Sequence, residues 1–167
     1  MKPLKNILLA SIPGILLLSS CVKEKDFPKT PVIAFKQYFN YEVDSADCII
    51  TFKDGDGDVG RKQEDAPGLN DLKMKYLYKD PADGEFKVFD KDMNPDNGTV
   101  DTLFYDYRVP NLTPEGQFKA LEGEIRAKLR AQPIYYPGHH IIKFEITLRD
   151  RAGNLSNMIS TPEINIP

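Results

Sequence analysis

Asp54, Asp56 and Asp58, spaced by Gly55 and Gly57 and followed by Val59-Gly60, form the densest chemistry in this 167-residue sequence. Carboxylates this close repel one another, and a divalent cation relieves the repulsion. Calcium suits them, because it takes six to eight oxygens at about 2.3–2.6 Å from aspartate side chains, backbone carbonyls and water. The glycines free the backbone to curl round an ion. The preceding Cys48-Ile49-Ile50-Thr51-Phe52 has strand propensity, so the aspartates open a long loop running to Asn70. A second oxygen-rich segment, Asp150-Arg151-Ala152-Gly153-Asn154, lies far away in sequence. If the two loops share one end of the fold, Asp150 and Asn154 supply further oxygens. The competing reading is a solvated acidic turn that holds no ion.

Little else has the makings of chemistry. His139 and His140 are the only histidines. Neighbours in a strand point to opposite faces, so both reach one metal only from a bent loop. They follow Tyr135-Tyr136-Pro137-Gly138, which reads as a turn. Exposed turn residues are the simple reading; Tyr135, Tyr136 and His139 are also candidates for a glycan contact, since tyrosine rings stack on sugars. No nucleophile elbow, phosphate loop or zinc-protease motif is present, and Glu122 and Glu124 alternate onto a solvated strand face. The expectation is a protein with no catalytic residues.

The elements that must position these groups are strands. Ile142, Phe144, Ile146 and Leu148 alternate with Lys143, Glu145, Thr147 and Arg149, the period of a half-buried strand. Leu121–Leu129 repeats the alternation. Weaker strands are expected over Pro31–Phe39, Asp47–Lys53, Asp71–Lys79, Glu85–Phe89, Val100–Arg108 and Met158–Ile166, with turn signals such as Asp83-Gly84, Asn94–Gly98 and Gly153-Asn154 between them. About eight short strands and no helix predict an all-β fold, an immunoglobulin-like β-sandwich, with a small closed barrel as the alternative. In that topology the acidic loop and the Asp150 loop lie at the same end.

The chain opens with Lys2 and Lys5, an apolar run from Ile7 to Leu18, then Ser19-Ser20-Cys21. A positive start, a short apolar stretch and small residues mark a secretory signal peptide. As a helix the run spans roughly 18 Å against a hydrocarbon core of ~30 Å, too short to remain as a membrane span. Leu18-Ser19-Ser20-Cys21 resembles the lipobox of bacterial lipoproteins at all four positions. The resemblance implies cleavage before Cys21 and lipid attachment to its thiol. The charged Val22-Lys23-Glu24-Lys25-Asp26 resembles the signal that displays such lipoproteins on the outer face of the outer membrane. The expected organisation is a signal peptide over 1–20, a lipidated cysteine and flexible tether over 21–30, and a β-sandwich over 31–167.

Composition narrows the partners. The whole chain carries a formal charge of −3, and the expected signal segment holds two lysines and no acid, leaving −5. Phosphate binding needs clustered cations, so nucleic acid is excluded as the expected partner. With Cys21 lipidated, Cys48 has no disulfide partner and reads as a small core residue.

Asp54, Asp56 and Asp58 resemble the first half of an EF-hand loop, but Val59 replaces its turn glycine, Asp65 replaces its glutamate, and a strand rather than a helix precedes them. The loop is closer to the Asp-rich calcium loops of cadherin-like extracellular domains. Together with the lipobox and the ending Leu148–Asn157, it makes the chain similar to surface lipoproteins of Bacteroidota, a group whose motifs carry no established activity. The resemblance implies a lipid-anchored, non-catalytic binding or scaffold module of the cell envelope, stabilised by calcium. A glycan-binding accessory protein of a polysaccharide-uptake system is the second expectation.

Overall fold

The computed structural model describes residues 26–42, 45–65, 69–91, 100–116, 119–130 and 138–166. The expected signal peptide and Cys21 lie outside them, as do Tyr135 and Tyr136.

The described residues form nine strands: β1 (Val32–Glu42), β2 (Ser45–Asp54), β3 (Leu72–Lys79), β4 (Phe86–Val88), β5 (Phe104–Tyr107), β6 (Leu121–Arg130), β7 (Ile141–Leu148), β8 (Ile159–Ser160) and β9 (Ile164–Asn165). They build two antiparallel sheets, not a barrel. One has the order β1-β2-β6; in the other β3 and β7 are central, β4 and β5 share the outer side of β3, and β8 and β9 line the far side of β7. β4 pairs with Leu77–Lys79 and β5 with Leu72–Lys75, so the two lie end to end on one edge. With β1, β2 and β6 against β3, β7 and the short β8 and β9, and with β4 and β5 as an added edge beside β3, the strand order is that of an immunoglobulin-like sandwich.

The alternation read from the sequence is what fills the core. Ile142, Phe144, Ile146 and Leu148 of β7 are all completely buried. They face Ile50, Phe52, Ile125, Ala127 and Leu129 of the other sheet within one cluster. Each such aliphatic or aromatic side chain contributes about 1.5–3 kcal/mol by leaving water. Cys48 is buried among them, and burial pushes its thiol up to about 12, as expected for a core residue. The last expected strand, Met158–Ile166, is divided. Pro162 has no N–H for the ladder, and Thr161 spends its hydroxyl accepting from the Phe144 amide at 3.0 Å.

The lead-in reaches the domain sooner than the expected tether boundary at residue 30. Pro28 accepts a hydrogen bond from the Gly55 amide at 2.8 Å. A Cβ on Gly55 would lie 2.2 Å from the Phe27 carbonyl, so only glycine admits this approach. Lys53 covers the Phe27 ring with its ammonium 5.3 Å from the centroid.

Candidate metal centre

β2 ends at Asp54 and β7 ends two residues before Asp150, and both strands deliver their last acid to the same end of the sandwich. The two loops that the sequence placed together only through topology do meet. Asp54, Asp58 and Asp150 each offer an oxygen, and these oxygens all lie within 4.8 Å of one another. Oxygens round a single calcium ion at about 2.4 Å are no more than roughly 5 Å apart, so one ion fits among the three. Any divalent cation that takes oxygen ligands is compatible with the trio.

Local structure fixes each acid. The Asp58 amide donates to Asp54 Oδ2 at 2.9 Å, curling the loop back on its first residue. Asp58 Oδ2 accepts from the Ala152 amide at 2.9 Å, which joins the two loops. Asp150 Oδ1 accepts from the Asn154 amide at 2.7 Å and its Oδ2 from Asn154 Nδ2 at 2.8 Å. Asn154, expected as an oxygen donor, therefore presents its amide nitrogen to Asp150 and orients that carboxylate. Asp56 lies outside the 4.8 Å grouping, but its charge acts on both Asp54 and Asp58.

The loop is anchored where an EF-hand would bend. Val59 is fully buried in the core. Gly57 and Gly60 have φ of 66° and 85°, and a Cβ at either would come 2.0 Å from a carbonyl oxygen, of Lys119 and Pro110 respectively. Arg151 braces the same end by donating to the Gly60 carbonyl at 2.5 Å and to Asn111 Oδ1 at 2.8 Å.

Electrostatics set the trio apart from an ordinary acidic turn. Asp54 and Asp150 are fully buried. Asp54 Oδ1, Asp56 Oδ1 and Asp58 Oδ1 are buried with no hydrogen-bond partner. Burial, reinforced by the charges of Asp56, Asp58 and Asp150, raises the Asp54 carboxyl to about 6. Burial and the neighbouring Asp150 raise Asp58 as well. An unpaired buried carboxylate oxygen is unfavourable by itself, so those of Asp54 and Asp58, clustered with Asp150, and that of Asp56 outside the cluster describe a receptor for positive charge.

Asp71, absent from the sequence-based candidates, is a contrasting acid a short distance away. It is buried, but its Oδ1 pairs with Arg61 Nε at 2.6 Å and its Oδ2 accepts from the Val109 amide at 3.2 Å. An aspartate at the start of a strand carries no local signal of that pairing.

His139 lies at the opposite end. Its ring stacks on Tyr78 with centroids 3.9 Å apart, meets Phe89 edge-on at 5.3 Å, and places Nδ1 3.2 Å from the Tyr76 hydroxyl. The expected turn residue is thus half-buried in an aromatic cluster, and burial lowers its pKa. His140 is exposed. Among the described residues no ligand group forms round either histidine.

No family model, curated protein or solved structure matches the chain.

Proposed function

We propose that this protein is a lipid-anchored, non-catalytic binding or scaffold module of the bacterial cell envelope, displayed at the outer membrane, whose sandwich is stabilised by calcium held by Asp54, Asp58 and Asp150. The observation that carries the calcium reading is the set of unpartnered, buried carboxylate oxygens that converge where the acidic loop meets the Asp150 loop. Oxygen-only ligands favour calcium over zinc, which draws on nitrogen and sulfur. Asp56 and backbone or water oxygens complete the shell. Three carboxylates outweigh the two charges of the ion, so the site attracts it strongly enough to hold in a calcium-replete exterior. Affinities of extracellular calcium modules lie near 10⁻⁴ to 10⁻³ M.

The anchoring half of the proposal rests on the Leu18-Ser19-Ser20-Cys21 motif. Mass spectrometry of the mature N-terminus tests it: a diacylglycerol-modified Cys21 is the expected result, and cleavage elsewhere refutes it. Thermal melts test the calcium half. At about ten to a hundred times the dissociation constant, calcium adds about 1.4–2.7 kcal/mol. That raises Tm by roughly 4–8 °C over the chelated protein. Identical melts in calcium and in chelator would end the calcium reading and leave the anchor untouched.

A further inference from the structure

The end of the sandwich that carries the acidic trio holds a second feature of opposite sign. A cavity of about 450 Å³ opens between the start of β3, the end of β7 and the two loops beyond them, walled by Arg61, Lys73 and Arg149 with Leu69 and Leu155 at its rim. Its volume is that of a small-molecule site. No member of the acidic trio lines it, although Gly153 of the Asp150 turn does.

Arg61 is the informative residue. Its side chain is 14% exposed, and its Nε is committed to Asp71 at 2.6 Å. Its two terminal nitrogens make no hydrogen bond or ion pair among the described residues, although the side chain is mostly buried. Asp71 in turn is fully buried beneath it and further held by the Val109 amide. The guanidinium is therefore fixed in place from behind, with its outer edge left for something else. Arg149 stands on the adjoining strand end, exposed, and likewise without an ion partner among the described residues. Lys73 lies with its ammonium 4.9 Å from the Phe104 centroid rather than against an acid. Asp106, directly across from Lys73 on β5, is among the described residues the one acid of the wall not already paired from behind.

A planar guanidinium held rigid by a buried carboxylate is suited to take two oxygens of a second carboxylate side by side. A second arginine and a lysine nearby supply the charge that attracts it. Leu69 and Leu155, 46% and 50% exposed, offer apolar surface for the carbon skeleton that bears the group. We propose that this cavity binds a small aliphatic carboxylate, with Arg61 and Arg149 as its principal contacts.

Calorimetric titration of the full chain in saturating calcium with butyrate and hexanoate tests the proposal, with butyramide and sulfate as comparison ligands. Saturable binding of the carboxylates, no binding of the neutral amide, and a loss of about tenfold or more in Arg149→Ala are expected, as for one charged hydrogen bond. Arg149 is exposed, so that variant keeps the fold. Asp106→Asn should strengthen binding by removing the opposing charge. No saturable binding of either carboxylate, binding equal for sulfate and carboxylate, or binding unchanged by Arg149→Ala would overturn the assignment. So would binding lost in Asp58→Asn but kept in Arg149→Ala, since the carboxylate would then sit on the cation instead of in the cavity.

Discussion

The two ends of the sandwich bury titratable groups in opposite ways. At the β7 start, His139 is closed in by Tyr76, Tyr78 and Phe89, and its polar atom finds a tyrosine hydroxyl. Everything it needs comes from the chain. At the β7 end, Asp54 and Asp150 are buried more completely, yet the loop leaves carboxylate oxygens at one focus without donors. A fold that satisfies a half-buried histidine at one end and leaves carboxylates wanting at the other has not simply packed badly. On the proposed reading, a cation from outside completes the acidic end. Asp71 sharpens the contrast within that end, because there the chain supplies its own cation in Arg61.

Breaking the internal pair should have the largest effect. Asp71→Ala leaves the mostly buried Arg61 unpaired and is expected to cost about 3–5 kcal/mol. Urea denaturation should return the same loss with and without calcium, because the pair needs no ion.

Asp58→Asn acts on the external partner instead. It should remove the calcium-dependent increment of about 1.4–2.7 kcal/mol. Measured in chelator, the variant should be as stable as the parent or slightly more so, since one repelling charge has gone. A variant that loses stability equally in calcium and in chelator would mean that Asp58 works only through its bond to Ala152.

Proton titration separates the ends by sign. Asp54 has a folded value raised from 3.8 to about 6, so the metal-free fold binds the extra proton first. Its stability should rise as pH falls from 7 toward 4, and fall again as pH rises through 6. His139 has a lowered folded value, so the unfolded chain takes its proton first and stability is lost as pH falls through about 6.5. Melts of Asp54→Asn and His139→Gln across pH 4–8 should each remove one of these opposing slopes. Calcium affinity should itself weaken by about tenfold between pH 7 and 5, because protons compete for the Asp54 carboxylate.

Much of this architecture is legible in the sequence, and the parts that are not share a cause. β6 and β7 declare themselves by an apolar residue at every second position, a signal local to eight or ten residues. The meeting of Asp54, Asp58 and Asp150 follows from strand order, because the immunoglobulin-like connection places those two loops together. Composition alone assigns Asn154 an oxygen-donating role, whereas the tight turn brings its amide nitrogen to Asp150. The docking of Phe27-Pro28 on Gly55, the Arg61–Asp71 pair and the burial of His139 have no local signature. Each depends on which segments the folded chain lays side by side, and neither periodicity nor turn chemistry encodes that.

A crystal grown in calcium and read for anomalous scattering tests the central claim most directly. The expected result is a single peak about 2.3–2.6 Å from oxygens of Asp54, Asp58 and Asp150. No peak at that focus, with the three carboxylates turned to water or to lysine and arginine side chains, would contradict it.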